Sequence, residues 1–216
     1  DPAMIAALVE MGMRRIKVAS GELNNLPALE HVAATGLPVL LSTGMATLEE
    51  VRLAVETLRQ NGAGDITLLH CTSLYPAPME SVNLRAMQTL RDSFNVAVGY
   101  SDHTLGDHVA VAAVALGASV IEKHLTLDRT FPGPDHAASL EPGEFAAMSA
   151  RLRATALALG DGVKAPSAAE LEVAAVARKS WHAAADLEAG AVLAAGDVCL
   201  KRPATGLSAA QSPIGQ

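Results

Sequence analysis

Five short apolar runs, each ending in polar residues and followed by a helix-forming stretch, recur along the first three-fifths of the chain. They are Arg14–Ser20, Leu37–Thr43, Asp65–Thr72, Val96–Tyr100 and Ser119–His124. A strand period of about two dozen residues with helices between predicts βα units and a parallel sheet. The runs are continuously apolar rather than alternating, so both faces of that sheet must be covered. A doubly wound sheet and a (β/α)8 barrel both satisfy this pattern. Polar residues follow every run: Ser20 and Glu22, Ser42, Thr72 and Tyr75, Ser101 and His103, and His124. A ring of functional groups at every strand end is a barrel feature. No glycine-rich dinucleotide turn follows any run, since Gly44 and Gly99 stand alone.

The two ends of residues 98–124 carry the sharpest chemical signal. His103 and His124 each close an apolar run, and the segment between reads as one helix. A strand–helix–strand unit makes its strands parallel, usually neighbouring, with a right-handed crossover. Neighbouring strands lie roughly 4.8 Å apart, so two imidazoles at their carboxyl ends can reach one ion. An arbitrary pair of histidines is more often two unrelated loop residues. This pair sits where α/β folds place their chemistry, and a divalent metal site follows as the expectation.

Helix signals support the same register. Thr47-Leu-Glu-Glu50 is a capping box, and Glu141-Pro142 opens a last helix that runs to Leu159 and stops at Gly160. Beyond Gly160 the composition changes. Residues 161–177 are Ala-rich and read as a linker, partly helical, and residues 178–216 as a small, turn-rich β module too short to build its own core. The expected domains are therefore 1–160, 161–177 and 178–216.

Composition narrows the function. Half the 216 residues are hydrophobic but only 3% are aromatic, so the core must be aliphatic. The net charge is −7 with scattered basic residues, which argues against a nucleic-acid surface. No apolar run reaches 18 residues, which argues against a membrane partner. Asp1-Pro-Ala-Met reads neither as a signal peptide nor as a natural start. Cys71 and Cys199, far apart and outside metal-type spacing, read as reduced thiols of a cytoplasmic protein, with Cys71 in the core.

Six motifs carry a family resemblance: Lys17-Val-Ala-Ser-Gly-Glu22, Leu41-Ser-Thr-Gly-Met45, Leu69-His-Cys-Thr-Ser-Leu-Tyr-Pro76, Gly99-Tyr-Ser-Asp-His-Thr104, Glu122-Lys-His-Leu-Thr-Leu-Asp128 and Pro132-Gly-Pro-Asp135. In order and spacing, from about Gly12 to Gly206, the chain resembles the sialic acid synthase family, which spans N-acetylneuraminate and N,N′-diacetyllegionaminate synthases. The resemblance implies a (β/α)8 barrel followed by an antifreeze-like (SAF) β domain, in domain-swapped homodimers. It makes this chain the C-terminal five βα units of the barrel, a linker and the start of the SAF domain. Roughly a further hundred residues, with three more strands, are expected before Asp1. They would supply further substrate-binding groups.

The implied reaction joins phosphoenolpyruvate to the aldehyde of an N-acetylated amino sugar, N-acetylmannosamine or a 2,4-diacetamido-trideoxy-mannose, and releases phosphate. The resemblance assigns a divalent cation, Mn²⁺ or Mg²⁺, to His103 and His124, and makes His103, His124 and Glu22 the catalytic set. It assigns Lys17, Ser20, Ser42 and Ser101 to phosphoenolpyruvate, and Glu22, Tyr75 and Asp135 to the sugar. Ser73 matches a position that is Asn in some members, and Arg202 matches an SAF arginine that serves the partner subunit's barrel. Read singly, each serine is more often a helix cap or turn residue, and only as a set on one rim do they favour ligand binding; Tyr75 is equally a packing residue. Glu122 shares a strand face with His124 and reads either as an acidic support or as an unrelated ion-pair member. The remaining histidines are not assigned to the metal, and His70 is expected inside the barrel. Two rival readings stay open: a barrel metal hydrolase, which needs further His or carboxylate ligands, and an incomplete pseudo-enzyme that only pairs with a partner.

Overall fold

The protein's structure, a computed structural model, describes residues 2–215. They divide into two compact units that meet between Gly160 and Asp161. The first contains α1 (Pro2–Glu10), β1 (Ile16–Val18), α2 (Leu26–Ala33), β2 (Val39–Ser42), α3 (Leu48–Gln60) and β3 (Ile66–Cys71). It continues with α4 (Met79–Val82), α5 (Ala86–Phe94), β4 (Ala97–Asp102), α6 (His108–Ala115), β5 (Ile121–Lys123) and α7 (Pro142–Leu159). All five strands are parallel, and their order in the sheet is their order in the chain. A doubly wound sheet reverses direction at a switch point; this one never does, and winds in one sense as a barrel wall.

The sheet is also curled. By register, Lys17 in β1 aligns through Leu40 and Thr67 with Ala97, four residues before Ser101, the partner of Glu122 in β5. In a flat sheet these two strands would lie about 19 Å apart, from four spacings of about 4.8 Å. That is farther than a lysine and a glutamate reach together. Yet Lys17 Nζ lies 3.5 Å from Glu122 Oε2. Only a sheet that bends and staggers, as barrel strands do, brings them together.

Strand alternation then sorts two faces. Ile16, Val18, Val39, Leu41, Ile66, Leu68, Val98 and Tyr100 point outward into the main core. The helices meet them with apolar stripes at helical spacing: Leu29, Val32 and Ala33 of α2; Val51, Ala54, Val55 and Leu58 of α3; Met87, Leu90 and Phe94 of α5. Leu41, Leu58 and Leu68 are fully buried, each contributing about 1.5–3 kcal/mol relative to exposure. Thr47 and Glu50 form the expected capping box of α3. Position 99 of β4 holds a glycine because a Cβ there would stand 2.5 Å from both Leu69 Cδ2 and the Val120 carbonyl oxygen.

One expectation is corrected at strand level. His70 does not enter the barrel interior. Its register partner is Tyr100, on the helix-facing side, and its Nε2 lies 2.8 Å from the Val82 carbonyl of α4. Burial pushes its imidazole pKa down. The chain after β5 also adds a further rung: Leu125 bridges Leu140 in parallel, just before α7.

The second unit holds α8 (Ala168–Ala177), β6 (Ser180–Ala183), β7 (Val198–Lys201) and β8 (Leu207–Ser208). The strands form an antiparallel sheet in the order β7-β6-β8. Residues 187–193, read from sequence as part of the β module, contain no strand. Ser180 ties the sheet together: its Oγ donates to the Pro203 carbonyl and accepts from Gly206 N.

Candidate active site

The site is built on the inward face and carboxyl ends of the five strands. Ser101 of β4 and Glu122 of β5 are register partners, and Ser101 Oγ donates to Glu122 Oε1 at 2.7 Å. The Lys17 ammonium meets the other carboxylate oxygen and also donates to the Val18 carbonyl at 3.0 Å. Lys17 and Glu122 side chains are 31% and 37% exposed on the open inner face of the five-stranded sheet.

His103 and His124 are the first residues after β4 and β5. Their ring centroids lie 5.2 Å apart, edge to face. His103 Nδ1 is 2.8 Å from the Thr72 carbonyl. A carbonyl only accepts, so Nδ1 carries the proton and Nε2 keeps its lone pair. Burial lowers the His103 pKa, with His124 acting in the same direction, and the neutral imidazole is favoured. Tyr75 lies over both rings, at 4.2 Å from His103 and 5.5 Å from His124. Asp135 Oδ2 stands 3.9 Å from His124 Nδ1, too far for a hydrogen bond. Among the described residues no group of three or more His, Cys, Asp or Glu gathers for a metal. The donor set is two imidazoles, one with its tautomer fixed by a carbonyl, which suits a divalent ion whose other positions are left to water and substrate.

A third group sits at the ends of β1 and β3. Ser20 Oγ lies 3.1 Å from Cys71 Sγ and accepts from Gly44 N at 3.0 Å; Ser73 Oγ is 3.9 Å from the same sulfur. Gly44 is what lets them meet. A Cβ there would overlap Ser73 Oγ and stand 2.6 Å from Cys71 Sγ and 2.9 Å from Ser20 Oγ. Gly44→Ala is therefore expected to destabilise the protein by about 1–3 kcal/mol, the usual range for overpacking. A lower midpoint in urea unfolding reads this out; an unchanged midpoint would show that the three side chains give way freely.

The remaining sequence candidates are placed less centrally. Ser42 ends β2 on the inner face, with its hydroxyl buried and unpartnered by protein atoms. Glu22 lies in a 3₁₀ turn, Ser20–Glu22, and accepts from Asn25 Nδ2 at 2.7 Å. Arg202 lies in the second unit, one residue after β7.

Sequence reasoning gave no site role to Gly44 and Cys71, although both lie in the quoted motifs, nor to the Thr72 carbonyl, which no side-chain pattern announces. It also passed over Asp102 and Lys123, which flank the two histidines with opposite charges. That pattern was visible.

The geometry can be set beside known proteins. The chain is 48% identical over 97% of its length to the N,N′-diacetyllegionaminic acid synthase of Campylobacter jejuni and covers 63% of that protein. It is 47% identical over 96% of its length to the Legionella pneumophila enzyme of the same name, covering 60% of it. The chain thus spans about three-fifths of these curated relatives. Among solved structures, the N-acetylneuraminic acid (sialic acid) synthetase of Leptospira borgpetersenii, in complex with citrate, superposes with a TM-score of 0.74 at 39% identity. That match covers 80% of this chain and 60% of the other. Residues 1–164, which include the five strands and every site group of the first unit, match the NeuB family, and the chain belongs to that family.

Proposed function

We propose that the protein is five βα units of the barrel, with the start of the following domain, of a synthase that condenses phosphoenolpyruvate with an N-acetylated amino sugar to a nonulosonic acid, with release of phosphate. The observation that carries this reading is the inward rim on which Lys17, Glu122 and Ser101 converge beside His103 and His124. One cation and a set of hydroxyls suit the anionic enol phosphate. Two imidazoles with open positions suit a Lewis acid. A hydrolase reading would call for further ligands on the histidine pair.

Roles follow from position. Lys17 balances charge on phosphoenolpyruvate, Ser20 and Ser42 donate to its oxygens, and Ser101 joins them by turning its single proton from Glu122 to the ligand. Ser42 is the most telling of these, since a buried hydroxyl without a protein partner is costly unless a ligand uses it. His103 and His124 hold Mn²⁺ or Mg²⁺, which when bound polarises the sugar aldehyde towards attack. Glu22, Tyr75 and Asp135 contact the sugar, and Ser73 bears on its choice. The second unit is the beginning of an SAF domain, and Arg202 reaches the sugar in the barrel of the partner subunit of a swapped homodimer. The reaction belongs in the cytoplasm; among the described residues no helix is long and apolar enough to cross a membrane.

The names of the two relatives favour a 2,4-diacetamido-trideoxy-mannose over N-acetylmannosamine as acceptor. The intact protein with Mn²⁺, phosphoenolpyruvate and each sugar in turn tests both points. Phosphate release dependent on a sugar, faster with the diacetamido acceptor, is expected. Release without any sugar would mark a hydrolase, and no phosphoenolpyruvate binding by calorimetry would remove the synthase reading.

A further inference from the structure

Behind the two histidines lies a charged pair that the proposed chemistry does not use. Asp102 and Lys123 are register partners on β4 and β5, and their side chains, both 0% exposed, meet at 2.9 Å. The other Asp102 oxygen accepts from Thr104 N at 2.9 Å and Thr104 Oγ1 at 2.8 Å. Lys123 Nζ also donates to the Thr104 carbonyl at 2.5 Å. His103 is therefore enclosed: its preceding residue supplies the carboxylate, and its following residue is held through both backbone groups and its hydroxyl. Its own carbonyl accepts from Ala77 N at 2.9 Å. His124 follows Lys123 directly and is fixed on its far side, its carbonyl accepting from Leu140 N at 3.0 Å.

A buried ion pair is a poor way to gain stability, because desolvation offsets most of its attraction, and apolar residues of similar volume often serve as well or better. What it supplies instead is direction. Apolar packing tolerates small slips between strand ends, whereas one carboxylate bonded to three donors does not. The side chains of Asp102 and Lys123 point to the opposite face from Ser101 and Glu122, so the pair lies outside the reaction space.

We propose that Asp102, Lys123 and Thr104 form a positioning clamp that sets the separation and orientation of His103 and His124, and through them the affinity of the site for its divalent ion. This rests on the reading of those histidines as metal ligands. The clamp touches neither ion nor substrate; its residues are positioning residues.

Asp102→Leu/Lys123→Met in the intact protein separates direction from stability. Removing both charges together leaves no unpaired ion, and the thermal midpoint is expected to stay within a few degrees of the parent. Mn²⁺ affinity, followed by the electron paramagnetic resonance signal of free Mn²⁺, is expected to weaken tenfold or more. kcat falls with it, while KM for phosphoenolpyruvate changes less than twofold. Thr104→Val, which keeps the pair and the volume, is expected to weaken Mn²⁺ binding threefold or more, and it decides the matter if the double variant does not fold. Mn²⁺ affinity within twofold of the parent in the folded variant overturns the clamp. His103→Ala is measured alongside. If it abolishes Mn²⁺ binding while the clamp variants do not, only the clamp fails; if the parent binds no Mn²⁺, the metal reading fails and the clamp with it.

Discussion

His103→Ala and His124→Ala should each lower Mn²⁺-dependent turnover by about a thousandfold while leaving the fold in place. A Lewis acid on a developing negative oxygen contributes several kcal/mol, and about 4 kcal/mol corresponds to three decades in rate. Neither ring belongs to the aliphatic core. His103 packs on Tyr75 and bonds the Thr72 carbonyl, and His124 is about one-third exposed, so truncation removes a proposed ligand without opening a core cavity. Steady-state kinetics with circular dichroism as the folding control measure this. Chelation provides an internal check: it should bring the parent down to the rate of the variants and leave the variants unchanged. A single-alanine variant that retains parental activity would strike that residue from the ligand set.

Lys123→Met alone should be the most damaging single substitution for stability outside the aliphatic core. It leaves the Asp102 carboxylate buried with Thr104 as its remaining close donor. Breaking a buried pair from one side costs about 3–5 kcal/mol, because an uncompensated charge stays inside. For a unit of this size each kcal/mol moves the thermal midpoint by about 2–4 °C, so a fall of about 6–20 °C is expected. Adding Asp102→Leu should recover most of the loss. This non-additivity is the signature of direct coupling. Equal and additive losses in the two single variants would mean that the residues act on stability independently.

Much of the architecture was legible in sequence because it is written locally. Apolar runs of strand length, the Thr47 and Glu50 capping box and the Glu141-Pro142 helix start each lie within a few contiguous residues, and each forms where expected. The residue type at each strand end was legible for the same reason. His103 and His124 close adjacent parallel strands, as the strand–helix–strand pattern requires.

What tertiary structure alone decided is phase, winding and long-range contact. Strand phase has a period of two, so a one-residue uncertainty inside an apolar run changes the face a side chain occupies. That is why His70, read as an interior residue, lies instead on the helix side opposite Tyr100. The strand pattern by itself left winding open, because the same βα units serve a doubly wound sheet or a barrel; only the family resemblance implied the barrel. The unreversed strand order and the meeting of Lys17 with Glu122 from the two ends of the sheet settled it. The Ser20–Cys71–Gly44 contact and the hold of the Thr72 carbonyl on His103 also join residues far apart in the chain. Local sequence can name the groups at a strand end; curvature and register determine which of them meet.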